Sequence, residues 1–440
     1  MGKSNPLYPA RVIVIVIALL FGILNVCQIY SLEDTYPVAK IFIGSDYLCF
    51  YSATKNLLLK GNPYDKSWYS STIDDYAKPL ARYAYNPTIP WYCFPPVAAS
   101  LNYPLSYLEI ETAAKLMFFI LIAAFMMAYG LITVSFDFKN KSEWRRILLY
   151  GFVIIMLSYP FYFLVSRGHM IGITFLLIAA GTYLYKKNNP ISGVCFGVAT
   201  GMFLFPGLII LPLLLFRRYK ITIYMAVTLI VLVLCCPDLW WFFLKNILML
   251  RVDTHDILHQ NCSLAAVFFN SSLVFERIAS LAGLHVSISR YYTSIALVVY
   301  GLLLFVMVFC DYKIRKKYHP LGKDFETTLL LMYLPFMIAV PKATFPYNLV
   351  LLLLIIPAMC SLGVVLKESL PPSVFGLLTC GIALSQFQAQ ISDILLRKES
   401  FSFHFFSAFG LLLVMIGCVV FKVWFWKTGN LSKQMETVGR

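Results

Sequence analysis

The residues best placed to do chemistry begin with an aspartate in apolar company: Ile43-Gly44-Ser45-Asp46-Tyr47, followed by Tyr51-Ser52-Ala53 and Gly61-Asn62-Pro63-Tyr64-Asp65. A carboxylate at the edge of low-dielectric surroundings keeps its charge only when paired. Otherwise it holds its proton as tightly as a working general base. Groups of opposite character stand at the ends of later apolar runs (Arg167, His169, Lys342), and a polar stretch adds His255, His259 and Asn261. One carboxylate facing several cations suits the inverting transfer of a sugar from a lipid phosphate to a hydroxyl. The carboxylate takes the acceptor proton as the anomeric carbon is attacked, and the cations hold the charge growing on the departing phosphate. A retaining hydrolase needs a second carboxylate nearby, for which Asp65, Asp74 and Asp75 are available.

Each of these residues also has a plainer use. Asp46 could cap the helix that starts after it, Arg167 could anchor in lipid headgroups, and Lys342, beside Pro341, could snorkel. His255 and His259 are four apart, but His255-Asp256-Ile257-Leu258-His259 lacks the glutamate of the zinc-protease motif. No metal site is expected.

The elements that must position these residues are membrane helices. Of 440 residues, 60% are hydrophobic and 13% charged, and runs of roughly 20 apolar residues, long enough to cross a bilayer, recur throughout. The formal net charge of +15 sits in short basic clusters between these runs, which marks cytoplasmic loops rather than a nucleic-acid surface. No C-x-x-C pair occurs among the 11 cysteines; Cys49 and Cys93 fall in one expected external loop and could bridge in an oxidising compartment.

Taken in order, the chain reads as one all-α integral membrane domain, 1–440, with both termini cytoplasmic. A retained first span covers roughly 12–30, and a first external loop with the aspartate covers 31–111. Spans follow near 112–135, before 166 and before 186. The stretch 191–216 is flanked on both sides by basic clusters, Lys186-Lys187 and Arg217-Arg218-Lys220, and is broken by Phe205-Pro206-Gly207. It reads as a re-entrant hairpin, with one kinked span as the alternative. A span at 221–236 leads to a second external loop, 237–290, and spans follow near 291–310, 325–340, 347–365, 374–392 and 403–426. The expectation is about ten full transmembrane helices plus the hairpin, 10–12 crossings in all.

Within the first loop the motifs resemble those of the GT-C superfamily of polyprenol-phosphate-dependent glycosyltransferases, in the branch of the mycobacterial phosphatidylinositol-mannoside mannosyltransferase. The residues that carry the resemblance are Asp46, Tyr51 with Ala53, Leu58-Leu59-Lys60-Gly61-Asn62-Pro63-Tyr64, Phe94-Pro95-Pro96 and Pro104-Leu105. Weaker echoes run through Gly168, the Gly197 to Pro206 stretch, Asn261 with Ser263, and Pro341. The resemblance implies a GT-C-like fold with two structured external loops and an active site on the outer face of the cell membrane, the inner membrane in a bacterium. It implies Asp46 as base and a polyprenyl-phosphate sugar, commonly mannose, as donor. The acceptor would be a lipid or glycan, and no cofactor is required. The substrate-binding candidates are Tyr51, Tyr64, Arg167, His169, Asn261, Lys342 and Tyr347. The chain departs from the pattern in three places. It has Gly168-His169-Met170-Ile171 where relatives have Gly-Gln-x-Asn, and Phe203 where a lysine is usual. It also has Lys342 and Tyr347-Asn348 where Trp and His are expected after Pro341. A lipid or solute transporter, and a non-catalytic subunit of an envelope glycan assembly, are the competing classes.

Overall fold

The computed structural model of the chain describes residues 45–59, 61–65, 92–136, 138, 141–249, 263–281, 284, 291–318, 320–339, 346–366, 371–387 and 405–428. Among them every regular element is helical. The expected first span and the residues His255, His259, Asn261 and Lys342 lie outside the described residues, as does the side chain of Tyr347.

In chain order the helices are α1 (Ser45–Leu58), α2 (Pro96–Leu101), α3 (Ile110–Val134), α4 (Lys141–Leu157), α5 (Tyr159–Arg167) and α6 (Ile171–Lys186). Then come α7 (Ile191–Met202), α8 (Ile210–Leu215), α9 (Tyr219–Cys235), α10 (Pro237–Met249) and α11 (Leu264–Leu281). The last six are α12 (Tyr292–Tyr318), α13 (Lys323–Leu331), α14 (Leu334–Ala339), α15 (Ile356–Leu366), α16 (Pro372–Phe387) and α17 (Phe405–Thr428). Short 3-10 turns at Tyr103–Tyr107 and Phe205–Ile209 and a longer one at Pro346–Ile355 connect them.

Among the described residues four helices are long and apolar enough to cross a bilayer: Ile110–Val134, Leu264–Leu281, Tyr292–Tyr318 and Ser407–Thr428. A fifth results if α9 and α10, bent by 94° at their junction, count as one. The ten spans expected are not all accounted for among the described residues, which exclude the first at 12–30, and several of the other apolar runs are broken beside prolines. Breaks fall at Ser158 before Pro160, at Phe203-Leu204 before Pro206, at Cys236 before Pro237, at Met332-Tyr333 before Pro335, and just before Pro357. Proline has no N–H and disfavours a helical residue before it, so it begins helices and does not continue them. Hydropathy alone counts each such run as one span. The helix Leu264–Leu281 lies where only an external loop was expected.

The described residues fall into two compact units, one within Ile29–Ser135 and Tyr162–Val252, the other within Phe136–Phe161 and Asp253–Arg440. The first unit is built on α3, which buries Ile110, Ala113, Ala114, Met117, Leu121, Ala124, Phe125, Ala128, Tyr129 and Ile132. That spacing makes one helical stripe, while Leu116, Phe119 and Met127 on other faces are exposed. An apolar helix with an apolar exposed side is made for lipid. α7 carries Gly193, Gly197 and Gly201 one turn apart. A Cβ on each would meet, in turn, Ile221 and Met225, then Thr228, then Leu232 of α9. The two helices therefore run parallel at close approach, as small residues allow. The segment between them returns from the far end of α7 to its start, where Arg218 donates to the Asn188 side chain and stacks on Tyr185.

In the second unit α16 and α17 touch backbone to backbone, since a Cβ on Gly410 would lie 2.6 Å from the Gly381 carbonyl. The interior holds an ion pair. Lys422 of α17 meets Asp311 of α12 at 2.7 Å with both side chains 0% exposed. Tyr333, in the break between α13 and α14, donates to the same carboxylate oxygen at 2.7 Å. A buried charge survives only when paired in this way.

Candidate functional site

The site in the first unit starts with α1. Asp46 occupies its first turn, where the free N–H groups of a helix favour a negative charge. From Asp46 to Thr54 every residue described is buried, so the polar members need internal partners. Thr54 donates to the Phe50 and Ala99 carbonyls at 2.7 and 2.9 Å, which ties α1 to α2.

The turn after α1 is held by side chains. Asn56 Nδ2 donates to the Asn62 carbonyl at 2.8 Å, and Asn62 Oδ1 accepts the Tyr64 N–H at 3.0 Å. Gly61 is required, because a Cβ there would fall 1.7 Å from Asn56 Oδ1. Tyr64 then reaches over and donates to the Phe94 carbonyl at 2.8 Å, while Tyr92 donates to the Pro95 carbonyl at 2.8 Å. Tyr92 also accepts the Ala99 N–H at 2.9 Å. The Phe94-Pro95-Pro96 element has two residues without donors, so tyrosine hydroxyls anchor it through its carbonyls. Tyr51 donates to the Leu108 carbonyl at 2.7 Å. Tyr51 and Tyr64 are both buried, and the structure places their hydroxyls on backbone carbonyls that hold the loop in shape.

Against this frame α5 ends in Arg167. Its Nε donates to Asp46 Oδ2 and its Nη2 to Asp46 Oδ1, each at 2.8 Å. This is the bidentate geometry that matches a guanidinium to a carboxylate. Asp46 is 8% exposed at its side chain and Arg167 27%. The guanidinium also stacks on Phe163 at 5.0 Å. The next residue, Gly168, turns the chain with φ +64, a conformation favouring glycine, and a Cβ there would lie 2.8 Å from Tyr47 Cβ. The turn delivers His169 into an aromatic enclosure made by Phe50, Phe94 and Phe203, with ring centroids at 5.3, 5.1 and 5.5 Å. Its Nδ1 accepts the Ile171 N–H at 3.2 Å, which puts the ring proton on Nε2. Burial pushes its pKa down to about 4, with Asp46 opposing and Arg167 assisting. His169 is therefore a neutral donor at neutral pH and not one of the cations.

The structure thus brings together Asp46, Arg167 and His169. Cys49 and Cys93 are both free thiols. The bridge considered between them is not formed, and Cys49 is fully buried on α1. The aromatic enclosure was not recognised in the sequence. Its traces were Phe94, quoted as part of a motif, and Phe203, noted only as a departure from one, because an isolated Phe carries no signal of what it will surround.

The pattern of glycosyltransferase family 87 matches residues 92–341, more than half of the chain. This protein belongs to glycosyltransferase family 87. It is a membrane glycosyltransferase, and a transferase of that kind works on a sugar donor and an acceptor. No curated protein and no solved structure matches the chain. Arg167, His169 and Phe203 lie inside the family-87 stretch, and Asp46 precedes it.

Proposed function

We propose that this chain is an inverting hexosyltransferase. It moves a mannose-like sugar from a polyprenyl phosphate to a hydroxyl of a lipid or glycan on the outer face of the membrane. The acceptor oxygen attacks the anomeric carbon and its proton passes to Asp46. The bond from that carbon to the phosphate oxygen breaks, and the phosphate leaves with the electron pair, its charge held by Arg167. His169 supplies an uncharged N–H beside them. Tyr51 and Tyr64 serve by fixing the loop that carries Asp46, and Asn261, Lys342 and Tyr347 supply further polar contacts to donor or acceptor. The reading calls on the chain's own cations and not on a divalent metal.

The observation that carries this reading, within a glycosyltransferase family, is the buried carboxylate of Asp46 beside the guanidinium of Arg167. A GT-C-like topology goes with it, with both termini cytoplasmic and 191–216 re-entrant. In its support, the two ends of that segment meet at Asn188 and Arg218, next to the basic residues Lys186, Lys187 and Lys220.

The test is a transfer assay on purified protein in lipid with a panel of polyprenyl-phosphate sugars. Transfer from one donor that vanishes in Asp46→Asn supports the reading and names the sugar. Silence across the panel with donor still bound overturns it in favour of a non-catalytic subunit.

A further inference from the structure

We propose that the Asp46–Arg167 pair is a latch on the base, opened when a phosphate takes the guanidinium. The inference rests on the transfer reading above and adds the regulation of the same site. A carboxylate that is to accept a hydroxyl proton must aim a lone pair at that hydroxyl. Here each Asp46 oxygen accepts one N–H of the same guanidinium at 2.8 Å, so the resting site turns its base toward Arg167. The guanidinium fork fits a phosphate as well as it fits a carboxylate, with two parallel N–H···O bonds in either case. The exposure is unequal. With Asp46 8% and Arg167 27% exposed at the side chain, Arg167 is the more open of the two to an arriving anion.

His169, another titratable side chain brought to the pair, is not a second cation. His169 packs among Phe50, Phe94 and Phe203 as a neutral ring. When Arg167 turns to the phosphate, the Asp46 oxygens it held become available to the acceptor hydroxyl. The exchange is one of hydrogen bonds only and makes or breaks no covalent bond. It makes transfer ordered: the phosphate-bearing donor binds, the base is released, and the acceptor hydroxyl is then activated.

The latch is tested by carbodiimide labelling of Asp46 with an amine nucleophile, read by peptide mass mapping on the full chain in phosphatidylcholine nanodiscs. The probes are geranylgeranyl phosphate, inorganic phosphate, and discs containing phosphatidylglycerol. Labelling is expected to be low in the wild type and to rise several-fold with geranylgeranyl phosphate. Arg167→Ala is expected to label strongly without any probe, and Arg167→Lys, which keeps one point charge, to fall between. A rise with inorganic phosphate or phosphatidylglycerol keeps the latch and assigns its opener to that source. Labelling unmoved by every probe overturns it, as does Arg167→Lys that labels no more than wild type. Labelling needs no sugar transfer, so the two readings fail separately. A latch that opens in a protein that transfers nothing removes the transfer reading. Asp46-dependent transfer with unmoved labelling removes the latch alone.

Discussion

The imidazole of His169 lies 5.5 Å from the ring of Phe203. The two lie 34 positions apart in the chain and are neighbours in space. The aromatic enclosure that joins them buries the imidazole, and the burial has a consequence for pH. The folded pKa of His169, about 4, lies below its ordinary 6.5, so the unfolded chain takes up the proton first as the pH falls. The contribution to stability is complete above about pH 6.5 and declines as the pH falls towards 4. Melting temperature measured across that window should fall in the wild type, and His169→Phe should flatten the slope.

Asp46→Asn keeps the shape of the side chain and one acceptor for Arg167. Its melting temperature should stay close to wild type, while transfer drops by roughly a hundredfold to ten-thousandfold, the range for loss of a general base. Loss confined to KM would instead make Asp46 a binding group.

Gly168→Ala combines a strained φ of +64 with a 2.8 Å approach to Tyr47. It should cost about 1–3 kcal/mol of stability. It should also lower kcat, because the turn sets Arg167 and His169 on either side of it. Gly61→Ala, in contrast, meets Asn56 at 1.7 Å. Thermal melting should show the double variant Gly61→Ala/Asn56→Ala to be more stable than Gly61→Ala alone, since the second change removes the clash.

In the second unit, Lys422→Met leaves Asp311 buried without its cation and should destabilise by about 3–5 kcal/mol. Pairing it with Asp311→Leu should recover most of that loss in a double-mutant cycle by denaturation. Tyr333→Phe removes one 2.7 Å hydrogen bond to the carboxylate, worth about 1.5–3 kcal/mol for a bond to a charged group.

The class of this protein is written in its composition. Apolar runs with basic punctuation specify helices in a membrane, because the bilayer demands internally satisfied backbone and the charges cannot follow it there. The importance of Asp46 was also legible, since a lone carboxylate in apolar company must find a partner. What sequence could not provide was the partner. Arg167 stands 121 positions away and reads equally well as a headgroup anchor until α5 and the turn at Gly168 bring it to α1. The anchoring of Tyr51 and Tyr64 was likewise out of reach, because sequence displays a hydroxyl but not the carbonyl that accepts from it. Lys422 did leave a mark, a lone charge between Phe421 and Val423, but hydropathy averages over single residues and passes it by. The breaks within apolar runs are missed for a similar reason, because a window that sums apolar character is blind to the proline that stops the helix. Local chemistry determined what the residues could do and what medium they lie in. Tertiary structure alone decided which of them meet, because the Asp46–Arg167 pair, the rings around His169 and the Lys422–Asp311 pair close over tens of residues that leave no periodic trace.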